Sequence, residues 1–200
     1  MRVPNKNAFS QKHLRITTFS LVALSLILPV IPGSATPKSC ALPIPLPVSA
    51  TSQETCDKAD LITAINHART LRGLGLLAED PILSKAACAH SKEMAVRDYF
   101  DHHSPTPGLA TPMDRYLAGL HEAGGAIPDT LRIGENIYYC SLFNHIYTVD
   151  YGHRALMASP EHRANLLDPH FTQVGLGLFH DSHGGFWMTE MFLGNPKGAH

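Results

Sequence analysis

The chain has 200 residues, 44% of them hydrophobic and 16% charged, with 15 Gly and 15 Pro, which suits one compact domain with extended ends and excludes a disordered or fibrous protein. The formal net charge is -1, but Arg2, Lys6, Lys12 and Arg15 all lie in the first 35 residues, where there is no acidic residue. Without that segment 12 basic residues face 17 acidic ones, a net charge of -5, so a nucleic-acid partner is disfavoured.

Residues 1–15 are polar and basic, and an uncharged run from Ile16 to Ile31 follows, closed by Pro32, Gly33, Ser34 and Ala35. This order of basic, apolar and small residues is that of a secretory signal cleaved after Ala35. The run is short for a bilayer span, so no stable membrane span is expected after cleavage. Secretion, or residence in the periplasm or outside the cell, is the expected location. Residues 36–56 are rich in Pro, Ser and Thr and read as an extended, partly polyproline linker. The domain is expected over residues 57–196, with a short tail at 197–200.

Within the domain, Leu61, Ile62, Ile65, Ala68 and Leu71 recur at helical spacing from Asp57 to Gly73. Asp80 followed by Pro81 starts a second helix that runs to about Tyr99, with Leu83, Ala87 and Met94 on its buried stripe. Thr111, Pro112 and Asp114 start a short third helix to about Leu120, and Ser159, Pro160 and Glu161 start another through Arg163 to Leu167. The period then changes. Val174, Leu176 and Leu178 alternate with Gly175, Gly177 and Phe179, and a turn at Asp181 to Gly185 leads into Phe186 to Phe192, which predicts a closing hairpin. The strand glycines imply that a backbone or helix packs closely on them. Helices followed by antiparallel strands define an α+β class.

Four cysteines, Cys40, Cys56, Cys88 and Cys140, follow the signal. In an oxidising compartment an even number suggests two bridges, and chain order favours Cys40 with Cys56 and Cys88 with Cys140 among the three connectivities. The alternative for Cys88, in an Ala-rich helix, is a buried thiol.

The chain carries 13 histidines. His102, Glu135 and His170 are each placed at a loop or element end, where site residues concentrate. His90 falls on the buried side of a helix and reads as core, His103 neighbours His102, and His145, His153, His180 and His183 read as exposed. Asn136, Arg163 and Asn165 read as anchors of their segments. There is no His-Glu-x-x-His helix, no Gly-x-Ser-x-Gly elbow and no phosphate-cradling glycine loop, so the familiar protease, esterase and nucleotide-binding patterns are missing.

Seven short patterns occur in order between Asp57 and Pro196. They are Asn66-x-x-Arg69, Leu83-x-x-Ala86-Ala87, Tyr99-Phe100-x-His102-x-Ser104-Pro105, Gly134-Glu135-Asn136-Ile137, Ser159-Pro160-x-His162-Arg163-x-Asn165, Phe171-Thr172-x-Val174-Gly175-x-Gly177 and Trp187-x-Thr189. Together they resemble the CAP superfamily of cysteine-rich secretory, antigen 5 and pathogenesis-related 1 proteins, in its bacterial SCP-like branch. The resemblance implies a three-layer α-β-α sandwich with a small antiparallel sheet. It also implies a cleft of two His and two Glu that in several members binds zinc or another divalent cation.

By motif, His102, Glu135 and His170 take three positions of that tetrad. The chain departs from the family at the fourth, which falls to His162 or, alternatively, Glu161. In a metal reading, neutral imidazoles hold the cation, and the glutamate coordinates or holds the bound water. In the competing reading the same groups pin three loops together. The resemblance thus implies an extracellular, non-enzymatic module that binds a protein partner, lipid or sterol. The alternatives are a metal-dependent hydrolase or peptidase with Glu135 as general base, and a structural cell-surface module.

Overall fold

The computed structural model describes residues 50–141 and 149–194. The expected signal, the first part of the linker, His145 and the tail lie outside the described residues. The elements in order are α1 (Ala50–Thr70), β1 (Ala78–Glu79), α2 (Pro81–Arg97), α3 (Pro112–Glu122), β2 (Arg132–Ser141), α4 (Val149–Ala158), α5 (Pro160–Leu166), β3 (Phe171–His180) and β4 (Gly185–Gly194). Helix α1 begins seven residues before the expected start at Asp57. The last proline of the linker is Pro47, and past it nothing in the Ser/Thr stretch forbids helical backbone.

The start signals act through the bonds they are meant to make. The Asp80 carboxylate accepts from the Ile82 and Leu83 amides, both at 2.8 Å, and Thr111 and Asp114 close a reciprocal capping box on α3. Ser159 precedes α5 in cap position without a side-chain cap bond, because its hydroxyl meets His162 instead.

The sheet order is β1-β3-β4-β2. Strands β3, β4 and β2 are antiparallel, and the two-residue β1 adds a parallel edge on β3. The sandwich of the CAP type is therefore present, its sheet mixed by that one short strand. Side chains alternate across the strands. Met191 and Leu193 pack with Leu83, Ala87, Tyr116 and Leu120 of α2 and α3. On the other face Phe186, Met188 and Phe192 pack with Leu61, Ile65, Leu156 and Leu166 of α1, α4 and α5.

Glycine makes the α2 layer possible. A Cβ at Gly175 would lie 2.2 Å from Leu83 backbone, and one at Gly177 would lie 2.1 Å from Ala87 backbone. At the end of α2, Asp98 takes a left-handed cap at φ 53° and its amide bonds the Met94 carbonyl. The chain therefore turns sharply there, and the Tyr99–Ser104 segment comes back over the sheet. No helix among the described residues is long and apolar enough to cross a membrane.

Candidate functional site

The site is built on β2. Residues Ile133, Glu135 and Ile137 face α2 and α3, whereas Asn136, Tyr138 and Cys140 face the opposite layer. Glu135 is thus in mid-strand and not at the loop or element end that the Gly-Glu-Asn sequence suggested. Both faces of β2 are covered, so its sequence lacks the polar-apolar alternation that reveals a half-buried strand.

The buried Glu135 carboxylate is held at both oxygens. Arg115 of α3 donates to Oε2 through Nη2 at 2.5 Å, and His102 donates to Oε1 through Nδ1 at 2.8 Å. Arg115 also donates to the carbonyls of His102 and Leu109, each at 3.2 Å. One guanidinium therefore fixes the strand carboxylate and the loop that carries His102. The carboxylate can only accept, so the bond to Glu135 places a proton on His102 Nδ1 and leaves Nε2 outside that bond, on a ring that is about half exposed at 48%. His90 of α2 is buried, donates Nε2–H to the Asp101 carbonyl at 3.1 Å and lies 3.9 Å from Glu135 Oε1. Burial holds the His90 imidazole below its ordinary pKa, partly opposed by Glu135, so it is a neutral donor that supports the loop.

A second knot fastens the same loop. Burial pushes the Glu93 carboxyl up, but donations from Thr106, Ser104, Tyr99 and Arg97 outweigh it and bring the group down to about 2. The bonds to Ser104 and Tyr99 are 2.7 and 2.9 Å long. Neither Glu93 nor Arg115 stood out in the sequence, since a charged residue on a helix reads as solvated until its face is known to be covered.

His162 of α5 lies beside His102. Burial first, and then the neighbouring His102, hold its pKa below the ordinary value, and its Nδ1 pairs with Ser159 Oγ at 2.9 Å. Glu161 is exposed in the first turn of α5. His170, the third residue of the motif grouping, bonds Asp168 Oδ1 through Nδ1 at 2.8 Å and lines a depression with Arg132 and Arg163. Among the described residues no group of three His, Cys, Asp or Glu is arranged to hold a metal ion.

Behind Glu135 a polar chain crosses to the other layer. Asn136 donates to the His162 carbonyl at 3.1 Å and to Glu190 Oε2 at 3.0 Å, and Asn165 donates to Asn136 Oδ1 at 3.0 Å. Asn136 and Asn165 are therefore anchors, as their residue types implied, and Arg163 likewise donates to the Met157 carbonyl. Glu190 went unnoticed in an apolar strand. It is fully buried, its Oε1 has no partner among the described residues, and burial pushes its carboxyl up to about 7, against the Asn136 bond.

Two expectations are corrected. Cys88 and Cys140 are free thiols and not a bridge. Cys88 on α2 contacts the Leu176 carbonyl and Lys58, whereas Cys140 packs in the cluster on the opposite face of the sheet. The sheet thus separates two residues whose order in the chain made them a pair. The Cys40 with Cys56 expectation lies outside the described residues. His153 is buried and not exposed, and burial holds it below its ordinary pKa; His180 and His183 are exposed.

An α-β-α sandwich whose edge strand β2 carries a buried carboxylate paired with an imidazole defines the class. The model of the CAP cysteine-rich secretory protein family matches residues 62–192, and the chain belongs to that family. It is 31% identical over 146 residues to the uncharacterized protein YkwD of Bacillus subtilis (strain 168), an alignment that covers 73% of this chain and 50% of YkwD. The chain thus spans about half the length of that relative. Among solved structures it is similar to an extracellular protein containing a SCP domain from Bacillus anthracis str. Ames, with a TM-score of 0.58, 26% identity and coverage of 74% of this chain and 45% of the other. It shares its fold with an outer surface protein from Borrelia burgdorferi, with a TM-score of 0.56, 17% identity and coverage of 70% of this chain and 92% of the other.

Proposed function

We propose that the protein is an extracellular, non-enzymatic CAP binding module whose cleft presents His102, with His162 beside it, to a divalent cation or to a polar group of a partner. The signal-like N-terminal sequence, with relatives described as extracellular or outer-surface proteins, supports the location. One observation carries the reading of the cleft. Glu135 is held at both oxygens by Arg115 and His102, so it orients His102 through Nδ1 and leaves Nε2 free to meet a ligand. A carboxylate behind a histidine in this way is the usual outer-shell partner of a metal-binding imidazole. The same bonds weigh against the hydrolase alternative, because a general base needs an oxygen free to take a proton from water.

The donor set fits a cation held by the outer nitrogens of His102 and His162, with water at its remaining positions. It does not fit a shell of His102, Glu135 and His170. A bound zinc ion would supply a Lewis-acid contact to an oxygen or nitrogen atom of the partner. For lipid or sterol, the supporting observation is a groove of about 330 Å³ between α2 and α3, floored by Ala86, Ala89, Leu109 and Gly119. That volume is at the lower end for ligand sites.

Zinc titration by calorimetry on protein beginning at Thr36 tests the reading. Binding is expected to be lost in His102→Ala and in His162→Ala and kept in His170→Ala. Loss in His170→Ala with retention in His162→Ala would overturn the assignment, and no binding by the unsubstituted protein would leave the module without its cation.

A further inference from the structure

Away from the cleft, Arg132, Arg163, Asp168 and His170 line an open depression of about 500 Å³ beside Pro160 and Leu167. The side chains around it are already held. Arg132 donates to Asp168 Oδ2 at 2.6 Å and lies over the Phe171 ring at 5.5 Å, and Arg163 donates through Nη1 to the Met157 carbonyl at 3.0 Å. Asp168 Oδ1 accepts from both the His170 amide at 2.9 Å and the His170 ring at 2.8 Å. The one carboxylate is therefore saturated by its neighbours, and its charge is balanced by Arg132. Arg163 remains as a guanidinium with no acidic partner among the described residues, and Arg132 keeps N–H groups beyond the one that Asp168 takes.

The local charge is thus positive on a domain whose sequence past residue 35 is acidic by five charges. The depression lies apart from the Glu135–His102 pair, with Arg163 following His162 on α5. Arg132 and Glu135 are three residues apart on β2, about 10 Å, and their side chains leave the strand on opposite faces. Two fork-shaped guanidinium groups beside an imidazole match the oxygen atoms of a phosphate, and bonds of this charged kind are the strong ones.

We propose that this depression is a second binding site, in which Arg132 and Arg163 grip the phosphate group of a phosphate-bearing ligand. A phosphate monoester suits two guanidinium groups better than a single carboxylate does, since its three terminal oxygen atoms can accept from both at once.

The probes are inorganic phosphate, glycerol 3-phosphate and acetate, titrated into the protein at constant ionic strength and followed by amide NMR. Saturable shifts are expected for both phosphates at millimolar concentration in residues 163–170 and at Arg132, with acetate about tenfold weaker. Arg163→Gln and Arg132→Gln should each weaken phosphate binding about tenfold, Arg163→Lys less, and His102→Ala should leave it unchanged. The Arg163 side chain makes one hydrogen bond among the described residues, and unaltered thermal unfolding checks that its variant keeps the fold. No saturable shift at tens of millimolar phosphate, equal binding of acetate, or binding that survives both Gln variants would each overturn the proposal.

Discussion

Replacing Glu190 by Gln should remove a specific pH dependence of stability. Glu190 sits opposite Asn136 on β4, fully buried, with one hydrogen bond to Asn136 and an unpartnered Oε1. Its carboxyl titrates at about 7 in the folded protein against an ordinary 4.5, because burial penalises the charged form. The folded state therefore binds this proton more tightly than the unfolded chain does. The stability so gained is fully present below pH 4.5 and is lost as pH rises through about 7. The interval between the two values corresponds to roughly 3 kcal/mol, most of it lost between pH 5 and pH 8. Urea unfolding of both proteins at pH 5, 6, 7 and 8, read from the single Trp187, gives the difference curve. His90 and His153, both held down by burial, contribute the opposite slope, but they do so in both proteins and cancel. Glu190→Gln is expected to gain on the unsubstituted protein by about 2 to 3 kcal/mol across that range. A constant difference from pH 5 to pH 8 would refute the reasoning, since it would mean that Glu190 titrates normally or is already charged in the fold.

Three further substitutions probe the scaffold. Gly177→Ala places a Cβ 2.1 Å from Ala87 backbone, so α2 must move, and a loss of about 2 to 3 kcal/mol is expected in urea unfolding. Arg69→Met removes the buried donor shared by the carbonyls of Gly75, Leu166, Asp168 and Phe171; stability should fall by roughly 3 to 5 kcal/mol, seen as a lowered Tm. Glu93 has the opposite pH sense to Glu190, because its folded value of about 2 lies below the ordinary 4.5. Its contribution is present above pH 4.5 and lost as pH falls toward 2, so Glu93→Gln should lower stability at pH 7 and flatten the acid limb of a pH-dependent Tm series.

Much of the fold was legible because local signals agreed with the tertiary outcome. Asp80-Pro81 and Thr111-Pro112-x-Asp114 announced α2 and α3 by backbone bonds made within three residues. Alternation at Val174 to Phe179 with the turn at Asp181 to Gly185 announced the β3–β4 hairpin. Strand β2 was not announced as one, since Gly134-Glu135-Asn136 reads as a turn unless both faces of the strand are known to be covered. The site divides in the same way. His102 and Glu135 were found as residue types in a family pattern, and they do meet. The placement of His170 with Asp168 and the roles of Arg115, Glu93 and Glu190 depended on which face of an element each side chain leaves.

The sequence by itself determined the family, the start of α2, α3 and α5, the closing hairpin and the glycines on which α2 packs, because each rests on short-range geometry or on ordered motifs. Only the tertiary structure decided that Glu135 is held at both oxygens by Arg115 and His102, that Cys88 and Cys140 stay apart, and that His170 lines a depression with Arg132 and Arg163. These follow from side chains alternating across a sheet covered on both faces, a relation between residues far apart in the chain that no local spacing records.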